Sequence, residues 1–151
     1  MPSSDGEIAA ALFGLGKKPR PMDTGALARL LPQGDWRMAD AAGDPHLAAL
    51  GFVLGAYRFN RYATKGEQKA RLSLTDSVDA KQLEAEVTAV FLARDLINTP
   101  ASDMGPKELE KATRKLAKVH DAEVSVIKGD DLLEENFPMV HAVGRASTRA
   151  P

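Results

Sequence analysis

One helical pattern runs unbroken from Asp79 to Pro100, and no other stretch constrains the fold as strongly. Leu83, Val87, Val90, Phe91, Leu96 and Ile97 recur at helical spacing as an apolar stripe, while Lys81, Glu84 and Glu86 face outwards. Asp79 with Gln82 three residues later is a variant of the capping box, so the helix starts after Asp79. Asn98-Thr99-Pro100 ends it, because the residue before a proline is pushed out of the helical region. Continued to about Ile97, the helix is roughly 28 Å long, enough to bridge two domains.

The residues before this rod read as alternating short elements. Ile8 to Phe13 is a short apolar run ended by Gly14-Leu15-Gly16, which suits a buried strand turning into a loop. Its G-x-G is not a dinucleotide fingerprint, since a third glycine and an immediate helix are missing and Pro19 and Pro21 interrupt the path. Asp23 or Thr24 can cap a short helix over Ala26 to Leu31. Trp36 lies between turn signals as a core or interface anchor. Asp44 as N-cap and Pro45 at the first helical position start a helix carrying Leu47, Leu50, Leu54 and Tyr57. Gly51 and Gly55 weaken that helix by about 1 kcal/mol each relative to alanine, so their use is close approach to a neighbouring element. Alternation over Ala70 to Thr75 predicts a half-buried strand.

After the rod, Pro106 opens a helix with Leu109, Ala112, Leu116 and Val119 on one face, ending near His120. Val124 to Ile127 reads as a strand and Asp130 to Asn136 as a short helix before Pro138. Helix, strand, helix is the beginning of an α/β unit, and no terminating element follows Arg145 to Ala150. The fold class is therefore α/β on both sides of a long helix. There is no internal repeat and no low-complexity segment.

Composition narrows the chemistry. The 151 residues include no cysteine, which excludes a disulfide framework, a zinc ribbon, a thiol nucleophile and an iron-sulfur cluster. Twenty basic residues against twenty-one acidic ones, without a dense basic block, give no electrostatic footprint for nucleic acid. The longest nearly apolar run, Leu47 to Tyr57, is about half of what a bilayer requires, so no membrane span is expected. The first seven residues lack the positive and apolar regions of a secretory signal, and a cytoplasmic location is the default.

Side chains able to do chemistry are scattered. His46, His120 and His141 stand at a helix start, a helix end and in a loop, with no pair spaced for one face. His120 near a helix C-terminus has a plain electrostatic explanation. Asp130, Asp131, Glu134 and Glu135 form the tightest acid cluster, which at a helix N-terminus is more often a solvated face than a metal cradle. The serines at 3, 73, 77, 102, 125 and 147 lack a G-x-S-x-G elbow. Residue chemistry alone gives an α/β chain with no visible active site.

Three stretches carry a resemblance. Ala93-Arg94-Asp95-Leu96-Ile97-Asn98-Thr99-Pro100-Ala101, Gly105-Pro106-x-x-Leu109-Glu110, and Asn136 to Ser147 closely resemble the interdomain helix and early catalytic domain of the leucyl aminopeptidases, the cytosolic M17-type metallopeptidases. Leu50 to Tyr62 is similar to the end of their N-terminal domain. The resemblance spans residues 12 to 151 in the expected order and implies three parts. Residues 1–76 would be an N-terminal α/β domain lacking its first strand or strands, 77–100 the linker helix, and 101–151 the truncated start of the catalytic domain.

The same resemblance implies an activity for a longer protein. Members are hexamers that remove N-terminal amino acids from peptides with two divalent cations, zinc, manganese or cobalt, held by a lysine, three aspartates and a glutamate. Those ions generate the nucleophile near neutral pH and anchor the substrate's amine and scissile carbonyl. Every such position lies downstream of the segment matching Ala142 to Ser147. The resemblance thus assigns no catalytic, metal or cofactor-binding residue to this chain, and Asn98-Thr99 shares only two letters with a later metal signature. The expectation is an N-terminal piece, inactive and without cofactor by itself, of a cytoplasmic metallo-aminopeptidase acting on peptides. Two alternatives are a non-catalytic assembly or binding module from that family, and a degenerate relative ending at Pro151. Reading the coding frame beyond residue 151 separates them.

Overall fold

A computed structural model of the chain describes residues 1, 8–39, 43–63 and 69–147. The expectations for the remaining N-terminal residues and for residues 148–151 lie outside these. The chain divides into two compact units, Met1–Asp95 and Leu96–Pro151.

In the first unit a 3-10 segment, Pro21–Ala26, runs directly into α1, Leu27–Leu30. Strand β1, Gly34–Trp36, precedes α2, Pro45–Gly55, and β2, Ala70–Leu72, precedes α3, Ala80–Asn98. β1 and β2 pair in parallel, with Asp35 opposite Arg71 and Trp36 opposite Leu72. A parallel pair needs a long crossover, and α2 lies within it, so these elements form a β-α-β unit. The α/β class expected from the sequence is thus the observed one.

α2 explains the packing. The Asp44 carboxylate accepts from the backbone N–H groups of His46 and Leu47, at 2.8 and 3.2 Å, and Pro45 follows it as the cap requires. Ala48, Ala49, Gly51 and Phe52 are the helix's buried residues, and the expected stripe of Leu47, Leu50, Leu54 and Tyr57 is only half-buried. Small residues win the deepest positions because the 3-10 segment lies against α2 at backbone distance. A β-carbon on Gly25 would stand 2.9 Å from the Gly51 carbonyl oxygen, one on Gly51 would stand 2.5 Å from Thr24 Oγ1, and one on Gly55 would overlap the Gly25 carbonyl. The close approach expected of Gly51 and Gly55 is therefore present. Thr24 is buried at this seam, where its hydroxyl donates to the Ala48 carbonyl at 2.8 Å.

Phe52, Ala28 and Ala70 centre one cluster, joined by Trp36, Met38 and Leu72. Trp36 is thus the core anchor expected of it, and its indole N–H donates to the Pro32 carbonyl. Ala49, Val78 and Leu83 centre a second, with Leu50 and Val87 beside them. α3 begins where Asp79 Oδ1 accepts from the N–H groups of Lys81 and Gln82. Gln82 gives its amide nitrogen to Glu86 at 2.8 Å, so the reciprocal arm of the expected capping box is drawn along the helix.

The second unit contains α4, Pro106–Val119, α5, Asp131–Glu134, and α6, Pro138–Gly144. Glu108 closes the start of α4 by accepting from the Gly105 N–H at 2.9 Å. Asn136 between α5 and α6 takes the left-handed conformation at φ 62°.

Several local expectations are overturned. Ile8 to Phe13 forms no strand beyond an isolated bridge at Ile8, and Leu12 is 89% exposed, since no described strand pairs along the run. Asp23 and Thr24 lie inside a helical turn that starts at Pro21, and Asp23 accepts from the Arg20 N–H instead of capping a later helix. The strand over Ala70 to Thr75 ends at Leu72. Val124 to Ile127 makes no strand, because no described segment offers it a ladder. His141 stands on α6, not in a loop, and Ile97 is 80% exposed at the end of the α3 stripe. Leu109, Leu116 and Val119, the face expected to pack on α4, are exposed, while Ala117 is the buried residue of that helix.

Candidate functional site

Beyond the carboxyl ends of both parallel strands lies a cavity of about 190 Å³. Met38 follows β1, Leu72 ends β2, and Pro45 and Ala49 enter from the first turns of α2. Val78, in the turn into α3, closes the deep end with Ala49. Ser73, Leu74 and Ser77 lie at the exposed rim, and Thr75 is half-buried between them. Thr75 Oγ1 and Ser77 Oγ are hydrogen-bonded at 2.8 Å. Among the described residues the cavity's walls thus combine aliphatic carbon with three hydroxyls and no ionisable side chain. The sequence shows Ser73 and Ser77 only as unsupported nucleophiles; the hydroxyl-rich turn directly after the β2 alternation was the available signal.

Two clasps join α2 to α3. His46 Nε2 and Glu86 Oε2 are 2.9 Å apart, and the carboxylate must be the acceptor when ionised. The hydrogen bond from His46, supported by that from Gln82, holds the Glu86 carboxyl below the usual glutamate range. Glu86, expected to face outwards, is therefore engaged across the helices. At the other end Tyr57 donates its hydroxyl to Asp95 at 2.7 Å, packs on Phe91 with ring centroids 5.1 Å apart, and carries the Arg94 guanidinium over its ring at 5.3 Å. Arg94 donates to the Leu54 carbonyl at 2.8 Å, near the end of α2 where carbonyls lack helical partners.

The remaining residues singled out by sequence do not converge. His120 caps α4 at its C-terminal end, and His141 Nε2 lies 3.3 Å from Asp130, whose side chain is 98% exposed. Asp131 and Glu134 lie on α5 as a solvated face. Among the described residues no group of three or more His, Cys, Asp or Glu could hold a metal ion. The perturbed groups elsewhere belong to surface ion pairs. Arg71 lowers the Asp35 pKa through a bidentate contact at 2.7 and 3.0 Å, Arg114 lowers Glu110, and Arg20 lowers Asp23. No helix among the described residues is long and apolar enough to cross a membrane.

Comparison with known families resolves what the side chains do not. Residues 1–75 match the family model "M17 aminopeptidase, N-terminal domain", and residues 91–151 match "Cytosol aminopeptidase family, catalytic domain". The chain belongs to the M17 cytosol aminopeptidase family. Among relatives of this family, Peptidase B of Enterobacter sp. (strain 638) is 37% identical over 90 residues, covering 58% of this chain and 21% of the relative. A "Probable cytosol aminopeptidase" of Mycobacterium bovis is 34% identical over 160 aligned positions, covering 91% of this chain and 31% of the relative. The crystal structure of the cytosol aminopeptidase of Coxiella burnetii is similar with a TM-score of 0.89 and 38% identity, over 99% of this chain and 33% of that one. The bottromycin maturation enzyme BotP follows at a TM-score of 0.69 and 28% identity, over 86% of this chain and 31% of that one. This M17 chain therefore spans about a fifth to a third of the length of the relatives it matches.

Proposed function

We propose that residues 1–151 form part of a metal-dependent leucyl aminopeptidase that removes N-terminal amino acids from peptides by two-metal hydrolysis, and that they contain none of its catalytic residues. The carrying observation is the ordered match to an M17 N-terminal domain and then to the M17 catalytic domain, within a third or less of the relatives' length. On this reading the two divalent cations, manganese or zinc, would be held by residues of the longer protein, where they would supply the hydrolytic chemistry; no group of three or more His, Cys, Asp or Glu among the described residues could hold a metal ion. The complete enzyme would be a cytoplasmic hexamer acting on peptides, with neither nucleic acid nor membrane as a partner.

Metal analysis of the 151-residue chain after dialysis, with a leucine anilide assay in added manganese, tests the assignment. The expected result is no retained stoichiometric metal and no turnover above background. A chain extended with the downstream reading frame should acquire both. Tight metal or activity in the short chain would overturn the placement of the catalytic residues.

A second reading, a non-catalytic assembly or binding module of the same family, draws on the apolar faces that α4 and α6 expose: Val119 is 72%, Met139 76% and Val143 75% exposed. An inactive extended chain that still assembles would favour it.

A further inference from the structure

The cavity at the strand ends is the place in the first unit whose construction the aminopeptidase reading leaves unused. In open α/β sheets ligands bind outside the carboxyl ends of the strands where the strand order reverses; the pair β1-β2 shows no such reversal, so the lining of the crevice carries the argument. Here the crevice lies between the ends of β1 and β2 and the first turn of α2. Its charge properties select the ligand. The amino end of α2 would attract an anion, but Asp44 already occupies its first amides and adds a negative charge of its own. Among the described residues no lysine or arginine lines the walls to give a phosphate or carboxylate a counter-charge, and no carboxylate lines them to hold a cation.

Size and polarity select further. About 190 Å³ is below the range of pockets that enclose a nucleotide-sized ligand and suits a single side chain. The deep wall, Ala49 and Val78 with half-buried Met38 and Leu72, offers only carbon. At the rim the Thr75–Ser77 hydrogen bond uses one of the pair's two hydroxyl protons, which leaves the other O–H able to donate to a ligand, and Ser73 adds a further hydroxyl. Carbon at depth and hydroxyl donors and acceptors at the mouth match an aliphatic side chain carried on an amide backbone.

We propose that this cavity is a subsite for one uncharged aliphatic side chain of a peptide, separate from the catalytic residues; the choice of a peptide as carrier rests on the aminopeptidase reading. The test uses the complete 151-residue chain with methyl-labelled methionine and alanine, titrated with N-acetyl-leucine methylamide. Saturable shifts of the Met38 and Ala49 methyls are expected, with a dissociation constant on the order of millimolar. N-acetyl-aspartate methylamide should produce none. Ala49→Leu, which fills the deep end, should weaken binding about tenfold or more. Ser73→Phe at the exposed rim should do the same and serves if the buried variant fails to fold.

Absence of saturable shifts up to the solubility of the leucine compound would overturn the subsite. Equal affinity for isoamyl alcohol would overturn the peptide carrier, since the hydroxyl rim would then contribute nothing. Because the readout is binding to the chain without catalysis, its failure is distinct from failure of the leucine anilide assay on the extended protein.

Discussion

A single atom decides the tolerance of the glycine seam. Gly55→Ala would drive a methyl into the Gly25 carbonyl, and neither partner has a rotamer that can relieve the overlap, so we expect a loss of about 1–3 kcal/mol or more in chemical denaturation. Gly14→Ala, where an added carbon meets nothing within 4 Å, should be neutral within about 0.5 kcal/mol. Thr24→Val keeps the shape but removes the donor to Ala48, and should cost about 0.5–1.5 kcal/mol. Gly51 and Gly55 were legible in the sequence because glycine inside an apolar helix demands a reason. Gly25 and Thr24 were not, since nothing local marks the far side of a tertiary contact.

At the scale of elements, the clasps between α2 and α3 make two measurable statements. Glu86 has a folded pKa below its unfolded value, so its stabilising contribution is present above the ordinary glutamate range and is lost as pH falls through the lowered folded value. Glu86→Gln should therefore lower the neutral plateau of a stability profile and flatten its acid limb, so that the two proteins converge at acid pH, as thermal melts from acid to neutral pH would show. Equal acid limbs in the two proteins would contradict the pairing. Phe91 is half-buried against Tyr57, so Phe91→Ala should cost less than the 3–5 kcal/mol typical of a fully buried phenylalanine, about 1–3 kcal/mol, while Glu84→Ala does little. α2, α3 and α4 were readable because their start and stop signals are local: Asp44-Pro45, Asp79, Pro100 and Pro106. Strands failed because a strand is a statement about a neighbour. Val124 to Ile127 has the composition but no described partner, and Ile8 to Phe13 likewise. The cavity was invisible for the same reason, since its walls come from three separated stretches, 38–39, 45–49 and 72–78.

For the whole molecule, the two units differ in how much they bury. The first has two apolar clusters, whereas exposed carbon dominates α4 and α6 in the second. Amides of Leu116, Val124 and Val126 should therefore exchange faster than those of Leu50 and Val87 in dilute solution. Comparable protection in both sets would show that the second unit is a self-sufficient domain. The family was legible from residues 93–101, 105–110 and 136–147, whereas chemistry was not, because no motif among these stretches brings metal-ligating or nucleophilic side chains together. The seam of Gly25, Gly51 and Gly55 also governs how genetic data on this chain should be read. A saturation-mutagenesis map scored by abundance or growth would show intolerance at these three positions as sharp as that of an active site. The sites would reject every side chain, including alanine, with no preference for charge or polarity, and that indifference to chemistry distinguishes a steric boundary between backbones from a reactive centre.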